Sequence, residues 1–323
     1  MKIAVAGSIA RDHLMTFPGK FTDSIVASSL DKLSISFLVN ELEVRRGGTG
    51  ANIAFGLGVL GNNPMLITAA GKDFGDYETW LQRHGVDTSQ VRVSTDLLTA
   101  TFSCTTDIEQ RQIASFFPGA MSEGREIELE AIVRNCGKFD LIVISPDDPE
   151  AMLRHTEAAR ELKLEFAADP SQTLASIDGT LIRKLITGAK YLFTNEYELG
   201  LILQKTGWSE IELLEQVEIR ITTFGSKGSR IDGKNLAEIR VGVPEVSKVE
   251  DPTGVGDSYR AGFIAGLNWG LSFERCGQIG AVIAAYCLES KGTQEYRFEK
   301  SEFIARVKKT FGEVAASEIG SNL

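Results

Sequence analysis

The chain has 323 residues, 43% of them hydrophobic and 24% charged, with 34 basic against 44 acidic residues and a formal net charge of −10. That length fits one large α/β domain or two ordinary ones, and the balance excludes wholesale disorder, collagen-like repeats and coiled coil. An acidic chain argues against a nucleic-acid partner, so an anionic ligand would be held by local dipoles and a few placed cations.

The opening MKIAVAGSIARD is too short for a secretory signal and reads as a first strand. No apolar run approaches the ~18 residues of a membrane span. A cytoplasmic location without membrane contact is the expectation. Strands are predicted at residues 2–7, 65–71, 140–145, 165–169, 190–195 and 219–225. The runs LIVIS and YLFTN are almost wholly apolar, as strands covered on both faces must be. Helical patterns fall at 51–60, 77–84, 149–162 and 181–188, then at 257–269, 273–290 and 300–311. This alternation predicts a doubly wound, mostly parallel sheet flanked by helices. Residues 12–46 and 91–120 break the rhythm. They are rich in Ser, Thr and Phe, and TATFSCTTD with QIASFFPGA reads as a hairpin. They are expected to form a small β-sheet lid on a single domain spanning 1–323. Such a lid suits a transferase that must exclude water, although a plain surface hairpin has the same pattern.

Cys104, Cys136, Cys276 and Cys287 form no CxxC, and His13, His84 and His155 are scattered. A disulfide framework, a zinc site and a Ser-His-Asp triad are therefore not expected. The sharpest motif is VEDPTGVGDSYRAG at 249–262. Gly254 and Gly256 let backbone N–H groups converge on one point, and the following helix adds its positive N-terminal dipole. Asp257 stands there as a carboxylate that can take a proton from an attacking hydroxyl. A tight turn with Asp257 as an N-cap would look the same. A second glycine cluster, RGGTGANIAFGLGVLG at 46–61, brings Gly48 and Asn52 to a helix start where a hydroxylated ligand can approach the backbone. It would equally serve close packing of helix on sheet. GSRIDGKN at 228–235 lacks the Ser or Thr that completes a P-loop, and Asp232-Gly233 reads as a hairpin turn. The glycine turn TTFGSKG ends a strand, where doubly wound sheets hold nucleotides. Asn195 and Glu198 are spaced either to orient Mg²⁺-bound water and phosphates or to form a capping box.

In this order, these segments resemble the ribokinase-like (PfkB) family of sugar and nucleoside kinases over nearly the whole chain. The N-terminal signature is met from Gly47-Gly48 through Asn52 and Gly61 to Gly71. The C-terminal one is met at Asp251-Pro252-Thr253-Gly254 and Gly256-Asp257, with Val255 departing from the usual small residue. AGSIARDHL, KLSISFLV, FFPGAMSE and FAADPSQ are most similar to the bacterial adenosine kinases of that family. The resemblance implies that Asp12, Gly48 and Asn52 hold the ribose, and that Ser8 and Ser36 line the nucleoside site. Phe102 and Phe116 (or Phe117) would sandwich the purine, with Gln172 nearby. It places ATP along Asn195, Thr223, Gly225 and Gly228, with Mg²⁺ near Asn195 and Glu198 through water. Asp257 would be the base, in a loop with Gly254, Val255 and Gly256 as the anion hole. K⁺ near Asp251 and a homodimer through the lid are further implications. The expected function is ATP-dependent phosphorylation of adenosine to AMP in purine salvage. A PfkB-type kinase for a sugar or another nucleoside, and a non-catalytic purine-binding protein, are the alternatives.

Overall fold

Apolar runs become strands and amphipathic stretches become helices, in a computed structural model that describes residues 1–24 and 36–323. The first part of the chain builds β1 (Ile3–Ala6), β2 (Ala10–Thr16), α1 (Phe21–Ser24), β3 (Glu41–Gly47), α2 (Thr49–Val59), β4 (Met65–Ala70) and α3 (Gly75–Arg83). There follow β5 (Val91–Val93), β6 (Ala100–Thr106), β7 (Gln112–Phe117), α4 (Leu129–Cys136), β8 (Leu141–Ile144), α5 (Pro149–Glu161), β9 (Phe166–Ala168) and α6 (Gly179–Ile186). The rest comprises β10 (Tyr191–Asn195), α7 (Glu196–Thr206), α8 (Glu210–Gln216), β11 (Ile219–Thr223), β12 (Ser229–Gly233), β13 (Leu236–Val241), α9 (Val255–Asn268), α10 (Phe273–Leu288), α11 (Lys300–Phe311) and α12 (Glu313–Gly320).

The main sheet runs β13-β12-β11-β10-β9-β8-β1-β4-β5. Its pairings are parallel from β5 to β11, and β12 and β13 add an antiparallel edge. Side chains alternate between two cores, as the period of a strand requires. Leu141 and Val143 of β8 join Phe55, Phe263 and Ile283 on the side of α2, α9 and α10. Ile142 and Ile144 join Ile132, Met152 and Ile182 on the side of α4 to α6. The expected doubly wound architecture is therefore present.

A second sheet, β3-β2-β6-β7, stands apart from it. The TATFSCTTD and QIASFFPGA runs pair in it as the predicted hairpin, with Phe102 opposite Phe116. Its boundary differs from the expectation in one respect. Val91–Val93 does not join the lid but pairs with Thr68–Ala70 in the main sheet. A 3-10 segment at Gly119–Glu126 likewise leaves the lid. Of KLSISFLV, residues 32–35 lie outside the described residues. The turn after β12 is Lys234-Asn235 rather than Asp232-Gly233, because Gly233 still pairs with Leu236 beyond a register shift that follows the Ile231–Ile239 pair.

Candidate active site

Open α/β sheets bind ligands beyond the carboxyl ends of their strands. Here Ser8, Asp147 and Ser171 lie just beyond the ends of β1, β8 and β9, Asn195 and Thr223 close β10 and β11, and all five line one cleft of about 870 Å³. The lid covers it from the other side. Arg45, Asp12, Phe102 and Phe116 are successive cross-strand partners, so they stand in one row on one face of the lid sheet. Asp12, Phe102 and Phe116 reach the cleft. Phe117 pairs with Thr101 and faces the other way, so Phe116 is the cleft residue. Neighbours on one face stand side by side. The two phenylalanines thus form one wall, not the two jaws of a sandwich.

Gly48 joins lid to helix α2. Its φ is +95°, and a Cβ there would sit 2.5 Å from the Ile9 Cα. Only glycine fits. Asn52, in the first turn of α2, gives its amide N–H to Asp257 Oδ2 at 2.8 Å. The Asn52 carbonyl accepts from Thr293 Oγ1 and Gln294 Nε2, both at 2.9 Å, which fixes the amide's orientation. Asp257 is the third residue of α9, entered through Gly254 at φ +75°. The first N–H groups of a helix lack intrahelical acceptors, so those of Val255, Gly256 and Asp257 are free to converge on an anion. Burial pushes the Asp257 carboxyl above its ordinary range, against the pull of Arg260 and Asn52. That is a carboxyl poised to exchange a proton.

Behind it sits a buried cluster. Arg260 Nη2 lies 2.7 Å from Asp169 Oδ1 and 3.9 Å from Glu198 Oε2, and its Nη1 lies 3.8 Å from Asp257 Oδ1. Asp169 has no exposed surface, and burial pushes its carboxyl up to about 7 despite Arg260. Burial likewise lifts Asp12 to about 6, with Arg45 opposing. One guanidinium thus faces three carboxyls, an arrangement that needs protons or a further cation.

A second, apolar cavity of about 500 Å³ lies on the other side of the same turn, between β12, α9 and α10. Thr223, Gly225 and Gly256 line both cavities, which therefore meet at the start of α9. Gly228 and Val255 line the second cavity alone. Ser8, Gly48, Asn52, Gln172, Asn195 and Glu198 line the first, as does Gly254. Ser36 does not join them among the described residues: it is exposed on the segment leading to β3. Gln172 Nε2 donates to Thr49 Oγ1 at 3.3 Å, and Gln172 Oε1 and Glu198 Oε1 share the single Ser171 hydroxyl hydrogen at 2.9 and 3.1 Å. Asn195 and Glu198 form the capping box: the Glu198 N–H donates to Asn195 Oδ1 and the Asn195 N–H to Glu198 Oε2, each at 2.8 Å. Sequence reasoning missed Asp147, Asp169, Thr293 and Gln294. The available signal was an acidic residue beside proline at two strand ends, SPDDP and ADPSQ.

The model of the pfkB family carbohydrate kinases matches residues 12–300. The chain belongs to the PfkB family. A nucleoside kinase of Methanocaldococcus jannaschii is 33% identical over 252 residues, which is 77% of this chain and 80% of the relative. The solved structure of Burkholderia thailandensis nucleoside kinase in complex with inosine is 31% identical. It covers 96% of this chain and 98% of its own, at a TM-score of 0.83. The same kinase in complex with ADP-inosine gives 0.79 with 96% of both chains covered. The nine-stranded sheet, its flanking helices and the small antiparallel-edged sheet are thus those of a ribokinase-like PfkB protein. No helix among the described residues is long and apolar enough to cross a membrane.

Proposed function

We infer that the chain is an ATP-dependent nucleoside kinase that moves the γ-phosphoryl group to the 5′-hydroxyl of adenosine, giving AMP and ADP. The observation that carries this is the meeting of a polar, lid-covered cleft and an apolar cavity at one helix N-terminus bearing Asp257. The nucleoside would occupy the first, with its ribose on Asp12, Gly48 and Asn52 and its base against Phe102 and Phe116. ATP would enter along Asn195, Thr223, Gly225 and Gly228, its adenine in the apolar cavity. Asp257 takes the 5′-hydroxyl proton while the N–H groups of residues 254–257 stabilise charge on the transferring phosphoryl group. Ser36 is left out of this reading. The names of the relatives support nucleosides over bare sugars. The inosine complex favours a second acceptor, a 6-oxopurine nucleoside. Salvage of preformed purine nucleosides in the cytoplasm, where ATP is made available, is the corresponding role.

Oxygen donors suit Mg²⁺, and the Glu198 carboxylate keeps lone pairs for its water shell beyond the bonds from the Asn195 N–H and Ser171 Oγ. When bound there the ion would neutralise phosphate charge. No three His, Cys, Asp or Glu side chains among the described residues form a direct cage. K⁺ fits Asp251 poorly. Its Oδ2 accepts from Arg45 at 2.9 Å and the Gly292 N–H at 3.2 Å, and its Oδ1 from the Thr253 N–H at 2.9 Å. The guanidinium already neutralises that carboxylate. A homodimer through the lid is supported by the exposed Leu42, Val44, Ile113 and Phe117 on its two edge strands. The experiment that tests the reading is ADP release from Mg-ATP with adenosine, inosine, guanosine, ribose and fructose 6-phosphate in parallel. Turnover on nucleosides is expected. Turnover on a sugar or sugar phosphate alone would overturn it.

A further inference from the structure

The cleft wall opposite the lid contains a carboxyl that the phosphoryl-transfer reading does not use. Asp147 follows β8 and is 8% exposed. Its neighbour Pro146 accepts the Ser8 N–H at 2.8 Å, which fixes this loop beside the end of β1. Asp147 Oδ1 accepts the Asp148 N–H at 2.8 Å. Its second oxygen has no protein partner among the described residues, and the side chain lines the cleft together with Met121, Phe102 and Phe116. The charged groups on the elements packed around it are Glu123, Arg125, Asp148 and Glu150. Glu123 is bound to Arg92 and Ser94, and Arg125 to Asp148 and Glu150. Asp147 itself has no ion pair among the described residues. A carboxyl this buried, with one oxygen opening into the cleft and no cation beside it, is placed to meet a polar group of whatever occupies the cleft. Gln172, the other candidate for contacting the base, is already held by Thr49 and Ser171.

We propose that Asp147 reads the hydrogen-bonding edge of the nucleobase and sets the preference between 6-oxo and 6-amino purine nucleosides. This rests on the nucleoside-kinase reading of the cleft. The chemistry follows from what each edge offers. An ionised carboxylate only accepts hydrogen bonds. Guanine presents two donors to it, N1–H and N2–H, and hypoxanthine presents N1–H. Adenine presents N6–H beside the N1 lone pair, which repels the second oxygen. A protonated carboxyl donates to adenine N1 while accepting from N6–H, and so matches adenine with two bonds. Burial pushes the Asp147 carboxyl up to about 7, with the Asp148 N–H opposing and the Asp148 charge adding to the rise. The two forms therefore interchange in the neutral range, and preference moves with pH.

The test is the ratio of kcat/KM for guanosine and inosine to that for adenosine, from pH 5.5 to 8.5. Burial lifts Asp12 and Asp169 toward this range too, but Asp12 faces the ribose side and Asp169 lies behind Asp257, where every nucleoside and ATP present the same groups. Their effects cancel in the ratio. In the wild type the guanosine-to-adenosine ratio rises roughly tenfold with pH, the size of one hydrogen bond to a charged group. Asp147→Asn, which stays neutral, loses that rise and holds the low-pH ratio throughout. A flat wild-type ratio, with all three nucleosides turned over, overturns the proposal and leaves the kinase reading intact. So does an Asp147→Asn enzyme whose ratio still rises. Turnover on no nucleoside at any pH overturns both.

Discussion

The two sheets use similar residues for opposite ends. In the main sheet, every residue of β8 and β4 is buried, and strands such as Leu141–Ile144 are sealed by helices on both faces. In the lid, all six residues of β7 are exposed, including Phe116 and Phe117. A strand buried on both faces is fixed by packing on either side, and Ser8, Asp147, Asn195 and Thr223 emerge at or just beyond the carboxyl ends of main-sheet strands. A strand exposed on both faces makes few contacts of its own, so its Phe116 has apolar surface left for a ligand. The frame positions and the lid covers.

The largest expected effect lies at the frame. Asp257→Asn removes the proton acceptor while keeping a side chain for Asn52 to hold. It should lower kcat by ~10²–10⁴-fold, with nucleoside affinity by calorimetry nearly unchanged. Near-normal turnover would strip Asp257 of its role. The next two substitutions set frame against lid directly. Phe193 in β10 is 2% exposed and meets the Phe263 ring edge-on at 5.6 Å. Phe193→Ala should cost about 3–5 kcal/mol of stability, read as a fall of about 10 °C in Tm. Phe102→Ala in the lid should leave Tm almost unmoved. It should weaken adenosine by about 1–3 kcal/mol, the range for stacking a base on an aromatic side chain, and ribose hardly at all. Equal losses for both ligands would make Phe102 a packing residue.

The same contrast explains what was legible beforehand. Main-sheet strands announce themselves as continuous apolar runs, and the glycines before Asn52 and Asp257 mark the turns that carry the chemistry. Val91–Val93 belongs to the main sheet rather than the lid, and its three residues carry no period that distinguishes one sheet from another. Asn195 and Glu198 satisfy one spacing rule for two purposes, and only the folded chain shows the reciprocal cap. Asp147, Asp169 and Arg260 come from the ends of β8 and β9 and from α9, and no local pattern joins residues so distant in sequence. Their convergence is a property of strand order.

The smallest expected effect separates the cleft from the outer turn of the lid by sign. In the frame, burial raises Asp147 and Asp169 to about 7 and Asp12, facing it from the lid, to about 6, against 3.8 ordinarily. Between those values the folded chain binds more protons than the unfolded one, so stability falls as pH rises. The turn of the lid hairpin behaves in the opposite way. Burial pushes the Asp107 carboxyl up, but the N–H groups of Phe21, Arg111 and Glu109, which donate at 3.1, 2.9 and 2.9 Å, hold it below the ordinary range. Its contribution is present above the ordinary carboxyl range and is lost as pH falls through the lowered value. Scanning calorimetry of the ligand-free protein at pH 5 and pH 8 should therefore show Asp147→Asn gaining Tm relative to wild type between the two, by a few degrees. Asp107→Asn should lose Tm at both. Parallel curves for Asp147→Asn and wild type would mean that this carboxyl titrates alike folded and unfolded, and that water already reaches it through the open cleft.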